Sequence, residues 1–132
     1  NRMFAALDTI RSVASAFHPW DVRFVYTTVM AHLNGVRRPS LISKVFEHMD
    51  TTGIDPDGLS YGLAISAAAR QTKSRFRQKQ AITLLREAHE LRDELDPPVD
   101  HRAYQAVAVA SYYTGFARSA FTAVRLAIEA DS

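Results

Sequence analysis

The chain has 132 residues, of which 47% are apolar and 23% are charged, and it contains no cysteine. This size and apolar content suit one compact domain or a few stacked helical hairpins, and they exclude a disordered chain. The lack of cysteine excludes a disulfide scaffold, thiolate metal sites and a cysteine nucleophile. No apolar run approaches the roughly 20 residues of a membrane span. The formal net charge of +2 neither requires nor excludes a nucleic-acid partner.

Apolar residues recur at helical spacing along the chain and predict an all-α fold of about seven helices. We expect helices over residues 2–16, 21–35, 39–49, 57–70, 80–95, 100–114 and 116–130. Asp21 and Asp57 are expected to cap helix starts, and Gly35 and Gly53 to end helices. No segment alternates with period two, so we expect no β-sheet.

A pattern of proline, aspartate and tyrosine occurs three times in the chain. In each copy Pro and Asp precede a helix that contains a Tyr; the copies are Pro19, Asp21 and Tyr26, then Pro56, Asp57 and Tyr61, then Pro97, Asp100 and Tyr104. The tyrosines are about 35 and then about 43 residues apart, within the range of helical repeat arrays. The spacing therefore predicts a repeat protein.

These residues resemble pentatricopeptide repeats, a family of helical hairpins of roughly 35 residues that bind single-stranded RNA. The resemblance lies in Tyr26, Met49, Gly53, Ile54, Pro56 and Asp57 of one copy, Tyr61 and Ala81 of the next, and Tyr104, Gly115 and Ala120 of the last. It implies an α-solenoid of antiparallel helical hairpins, wound as a right-handed superhelix. The alternative for such helix pairs is a closed bundle. The tetratricopeptide repeat has a similar period, but its Trp, Leu-Gly and Tyr signature is missing from these helices.

The resemblance also implies where the repeats begin and end. We expect residues 1–18 to be the second helix of a preceding repeat and 19–57 to be repeat one. Residues 58–100 would form a longer, degenerate repeat two, and 101–132 repeat three. The whole is interpreted as a single α-solenoid fragment of a larger protein.

In this family one base is read per repeat, chiefly by the residue after the tyrosine and the last residue of the repeat. The resemblance implies Thr27 with Asp57, Gly62 with Asp100, and Gln105 with a partner beyond this sequence. Thr27 with Asp57 resembles a purine-reading pair that favours guanine. Gly62 offers no side chain, so we expect RNA to be held mainly through its backbone. The alternative for both aspartates is that they are only helix N-caps.

Charge is distributed unevenly between the predicted connections. Basic residues mark the turns inside hairpins: Arg37, Arg38, Arg70, Lys73, Arg75, Arg77 and Lys79. Acidic residues mark the connections between hairpins: Asp55, Asp57, Asp93, Glu94, Asp96 and Asp100. In a solenoid these sets lie on opposite edges, and the basic edge suits a phosphate backbone. The alternative for each basic residue is a solvated loop.

Aromatic side chains can stack on unpaired bases or fill the core. Phe76 is the one stacking candidate, because it lies among basic residues in a predicted connection. Phe24, Tyr112 and Tyr113 are expected in the core, where aromatic residues at helical spacing usually lie.

No motif predicts catalysis. The histidines lack metal-ligand spacing and are expected at the surface or at caps, and no phosphate loop or nucleophile elbow occurs. We therefore expect no enzyme, no metal, no cofactor and no membrane partner. The resemblance implies a mitochondrial or other organellar role with single-stranded or ribosomal RNA and neighbouring ribonucleoprotein subunits, in the mitochondrial ribosome or in RNA processing. The alternative is a protein-interaction scaffold without RNA contact.

Overall fold

The computed structural model describes residues 2–13 and 19–131 of the chain. These residues form seven α-helices and no β-strand, which confirms the all-α prediction. The helices are α1 (Arg2–Val13), α2 (Pro19–Gly35), α3 (Pro39–Thr52), α4 (Gly58–Arg70), α5 (Arg75–Glu90), α6 (His101–Tyr113) and α7 (Ala117–Ala130). None of the helices in these residues is long and apolar enough to cross a membrane.

The joint between α3 and α4 forms as predicted. Gly53 has a left-handed φ of 81°, and its N–H donates to the Asp50 carbonyl at 3.0 Å. Asp57 then caps α4, because its side chain accepts from the Ser60 N–H at 2.9 Å while the Ser60 hydroxyl accepts from the Asp57 N–H at 2.8 Å. This reciprocal capping box satisfies two backbone donors that the first turn leaves free.

Four predicted helix boundaries differ from the structure by two or more residues, and one of them is the end of α3, which lies at Thr52 rather than at Met49. Helix α5 begins at Arg75 rather than at Gln80, because the Ser74 hydroxyl caps it by accepting from the Arg77 N–H at 3.1 Å. It ends at Glu90, and the connection to α6 follows. Helix α2 is described from Pro19, before the predicted cap at residue 21. The predicted end of the first helix lies outside the described residues.

The three repeated tyrosines are buried in α2, α4 and α6, Tyr26 about one turn further into its helix than the other two. The Tyr26 hydroxyl lies 2.8 Å from His48 Nδ1, and the Tyr104 hydroxyl lies 3.0 Å from His89 Nδ1. The Tyr61 hydroxyl donates to the Glu87 carboxylate at 3.2 Å. Each tyrosine therefore fastens its helix to a neighbouring helix by a polar bond inside apolar packing.

Helices pack mainly on those next to them, or next but one, along the chain. Helix α4 lies between α2 and α6, and it also contacts α3 and α5. Its buried alanines (Ala64, Ala67, Ala68 and Ala69) allow these neighbours to approach closely. Helix α1 contacts α3, and α7 contacts both α5 and α6.

Candidate nucleic-acid interface

Three short turns, at residues 36–38, 71–74 and 114–116, lie side by side. The Arg70 guanidinium donates to Asn34 Oδ1 at 2.7 Å, and Gln71 Nε2 donates to Ser43 Oγ at 2.8 Å. These bonds join α2 and α3, the helices on either side of the first turn, to the end of α4 and the start of the second turn. The Arg75 guanidinium lies 6.0 Å from the centre of the Phe116 ring, which joins the second turn to the third.

We call this side of the molecule the basic edge. It carries the predicted backbone-contact residues Arg37, Arg38, Arg70, Lys73, Arg75, Arg77 and Lys79. Only Arg37, Arg38 and Lys73 lie in turns, as predicted. Arg70 is instead the last residue of α4, and Arg75, Arg77 and Lys79 belong to the start of α5, because the Ser74 cap begins that helix early. Six of these side chains are exposed, and Arg77 is the exception. Arg77 contacts the Glu47 carboxylate of α3, donates to Gln80 Oε1 at 2.7 Å, and is only 13% exposed. Because the Glu47 carboxylate neutralises Arg77, the segment from residue 70 to 79 presents less positive charge at the surface than its sequence indicates.

Phe76 lies on the basic edge but not in a connection, contrary to the prediction. It belongs to the first turn of α5 and is 66% exposed. The Arg77 guanidinium lies 5.0 Å from its ring centre, within the range of a cation–π contact. Phe76 stays a stacking candidate, with one face near this guanidinium.

Thr27 and Asp57 line one groove of about 340 Å³ between α2 and α4, together with Phe24 and Leu59. Both polar side chains already have partners. The Thr27 hydroxyl donates to the Arg23 carbonyl at 3.0 Å, and this side chain is almost fully buried. The Asp57 carboxylate serves as the N-cap of α4. Asp57 therefore caps α4 as predicted, and base reading by this pair stays a prediction.

Gly62 and Asp100 line the next groove, of about 330 Å³, between α4 and α6. Asp100 caps α6 by accepting from the Arg102 N–H at 2.9 Å, and this bond lowers the pKa of the Asp100 carboxyl below its ordinary value. Gln105 is exposed on α6. The structure thus brings together both pairs of candidate base-reading residues, in two successive grooves.

Three aromatic residues that were expected in the core are instead exposed. Phe24, Tyr112 and Tyr113 are 71%, 73% and 80% exposed. The buried residues of α6 are Ala103, Tyr104, Val107 and Ser111, a stripe that neither tyrosine at its end can join. The sequence signal that indicates this exposure is the repeated tyrosine: if it marks the buried face of each helix, these three aromatic residues lie off that face.

Acidic residues gather at the other ends of the helices. Asp55, Asp57, Glu94 and Asp96 line a cleft of about 530 Å³ beside Tyr61. Burial, with the neighbouring Glu87 carboxylate, raises the pKa of the Tyr61 hydroxyl, which therefore stays protonated as a donor. Helix α4 has 13 residues, so this acidic side lies about 20 Å from the basic edge.

Two histidines in the helix interiors act as structural bridges, not as surface groups. His48 Nε2 lies 2.7 Å from the Asp8 carboxylate, and His89 Nε2 lies 3.1 Å from that of Glu129. Their other ring nitrogens face Tyr26 and Tyr104. Among the residues the structure describes, no group of three or more His, Cys, Asp or Glu side chains could hold a metal ion.

The arrangement as a whole separates charge between two edges and places two grooves between the helices that span them. Exposed guanidinium and ammonium groups on one edge can bind phosphate oxygens. Comparison of the chain with protein-family models, with curated proteins and with solved structures found no match.

Proposed function

We propose that this chain is a pentatricopeptide-repeat-like RNA-binding module built as an α-solenoid. The helix pairs α2–α3, α4–α5 and α6–α7 each consist of two helices that pack together across a short turn. Packing mainly between neighbours along the chain supports a stacked array. A buried tyrosine in the first helix of each pair supports a repeated unit.

The observation that carries the RNA proposal is the joining of the three short turns into one basic edge. Arg37, Arg38, Lys73, Arg75 and Lys79 are exposed along it. Cationic side chains on one continuous edge match the repeating negative charge of a phosphate backbone, and such contacts give affinity without sequence information. RNA is held along this edge mainly through its backbone.

The biological setting is proposed from the family resemblance alone. The module acts in mitochondria or another organelle, as a structural part of a ribonucleoprotein such as the mitochondrial ribosome or an RNA-processing complex. Its partners are single-stranded or ribosomal RNA and neighbouring proteins of that complex. It performs no catalytic step, since its role is to hold RNA in place.

The proposal is tested by the salt dependence of binding to a mixed pool of single-stranded RNA. In the edge variant, Arg75→Gln with Lys79→Gln, affinity should fall about equally for all sequences. The slope of log K against log salt should shrink by about 1.4, since each phosphate that is no longer neutralised removes roughly 0.7. Arg77 is left unchanged because its pairing with Glu47 ties it to stability.

A matched control removes two charges elsewhere. Arg11 and Arg86 are exposed, and Arg86 lies about 16 Å along α5 from Arg75. In Arg11→Gln with Arg86→Gln, the salt slope should stay within error of the wild-type value. Equal slopes for the edge variant and the wild type would remove the basic edge from the interface.

A second candidate function, a protein-interaction scaffold of the tetratricopeptide kind, is favoured by one observation on α7. Phe121 and Val124 lie on one face of this helix and are 82% and 50% exposed. Apolar side chains of this kind suit a partner protein. No RNA binding even at low salt, together with salt-insensitive binding of a protein partner, would favour this function over the first.

A further inference from the structure

The last turn of α6 ends in two adjacent exposed tyrosines, Tyr112 and Tyr113. Their ring centres are 5.4 Å apart and their planes meet at 79°, an edge-to-face arrangement. This arrangement leaves open ring faces toward solvent. Neither residue lines the two grooves between the helices.

Tyr113 has the same place in its helix as a residue of the basic edge. It follows the buried Tyr104 by nine positions, as Arg70 follows Tyr61 (113 − 104 = 70 − 61 = 9). The Arg70 guanidinium lies on the basic edge, bonded to Asn34. The aromatic pair therefore continues the basic edge onto the third helix pair, where an aromatic side chain replaces a cation.

The backbone that carries the pair is held firmly. The Phe116 N–H donates to the Ser111 carbonyl at 2.8 Å, and the Thr114 hydroxyl donates to the Ala110 carbonyl at 2.7 Å. Gly115 between them has a left-handed φ of 84°, which glycine adopts without strain. Because this backbone is already ordered, binding of a flat group costs conformational entropy only at the side chains.

Cationic groups stand beside this turn. The Arg75 guanidinium lies 6.0 Å from the Phe116 ring centre, and Arg118 is exposed in the first turn of α7. Exposed aromatic rings next to cations form the combination by which proteins bind single strands, with bases on the rings and phosphates on the cations.

We propose that Tyr112 and Tyr113 form a stacking platform for an unpaired base of single-stranded RNA whose backbone follows the basic edge. This inference rests on the proposed RNA-binding function. Because every base has a flat face, the platform accepts any base, and it raises affinity without selecting sequence. A double helix, whose bases are already stacked, gains nothing from it.

The test compares the wild type with Tyr112→Ala combined with Tyr113→Ala, using fluorescence anisotropy of a labelled oligoadenylate of about 12 nucleotides. The same oligonucleotide with abasic sites is the second probe. The alanine variant should bind the oligoadenylate about 5-fold or more weakly, as removal of one stacked base does. It should bind the abasic probe as the wild type does. Tyr112→Phe with Tyr113→Phe keeps the rings and should keep the affinity.

Each outcome separates this inference from the proposed function. Wild-type affinity in the alanine variant, with salt-dependent RNA binding intact, overturns the platform and leaves the function standing. An equal loss on both probes also overturns stacking, because the pair would then act on the backbone or on the fold. If the wild type binds neither probe at low salt, both proposals fail and a protein partner becomes the better occupant of this surface.

Discussion

A pair of glycine substitutions in α4 tests the packing that positions both grooves. Gly58 begins the helix and is buried, and a Cβ added there would lie 2.0 Å from the Pro97 carbonyl oxygen. Real Cβ atoms essentially never come within 3.0 Å of another heavy atom, so this backbone oxygen would have to move by at least 1.0 Å (3.0 − 2.0 = 1.0). Gly58→Ala should therefore lower the free energy of unfolding by about 1–3 kcal/mol, as overpacking does.

Gly62→Ala in the same helix is the matched control. A Cβ at Gly62 meets nothing within 4 Å, and the residue lies inside the helix. Replacing glycine there should raise the free energy of unfolding by about 0.5–1 kcal/mol, because the unfolded chain loses conformational freedom. Replacing glycine by alanine should thus change the free energy of unfolding in opposite directions at two positions four residues apart.

Urea unfolding followed by circular dichroism measures both variants. The midpoint should fall for Gly58→Ala and rise for Gly62→Ala, with the dependence on urea unchanged. A Gly58→Ala protein as stable as the Gly62→Ala protein would refute the reasoning. It would mean that the connection between α5 and α6 does not press on the start of α4 as the structure has it.

Three further predictions concern the core, the buried network and the helix caps. Leu85→Ala should lower the free energy of unfolding by about 2–5 kcal/mol in urea titrations, and Leu84→Ala by less, because Leu85 is fully buried and Leu84 only partly. The hydrogen bond with His89 lowers the pKa of Glu129 below its ordinary 4.5, so this carboxylate stabilises the fold above that pH and loses the effect as pH falls through its folded pKa. The stability difference between wild type and Glu129→Gln should accordingly shrink in acid unfolding curves, and a difference independent of pH would contradict this. Asp57→Ala should lower the free energy of unfolding by about 1 kcal/mol in urea titrations, whereas Asp57→Asn should leave it unchanged because asparagine also caps helices. An equal loss of unfolding free energy in the two variants would contradict the cap. If Asp57 also reads a base, Asp57→Asn should change the base preference in RNA binding.

Local sequence signals were sufficient for the helices and for the joint at the centre of the chain. Helical periodicity, the left-handed glycine at Gly53 and the cap at Asp57 act over one or two turns, and the structure has each where the sequence predicts it. The early start of α5 is also a local effect. Ser74 is a residue type that caps helices, but the basic residues that follow it led to the prediction of a loop.

Local sequence signals were not sufficient for the candidate site. The pairing of Thr27 with Asp57 in one groove followed from the family resemblance, but the sequence did not show that the Thr27 hydroxyl is already bonded within α2. Base reading by this pair stays a prediction. The groove itself exists because α2 and α4 pack side by side.

The sequence by itself determined that the chain forms seven helices and which tyrosines recur, because capping and periodicity depend on near neighbours. Only the tertiary structure decided that Glu47 neutralises Arg77, since these residues are 30 positions apart and meet where α3 and α5 come together. It also decided that Tyr112 and Tyr113 are exposed, because exposure depends on which face of α6 its neighbours cover. The ion-pair partner of a side chain and its exposure depend on contacts between segments that are distant in sequence, and local sequence patterns contain no information on such contacts.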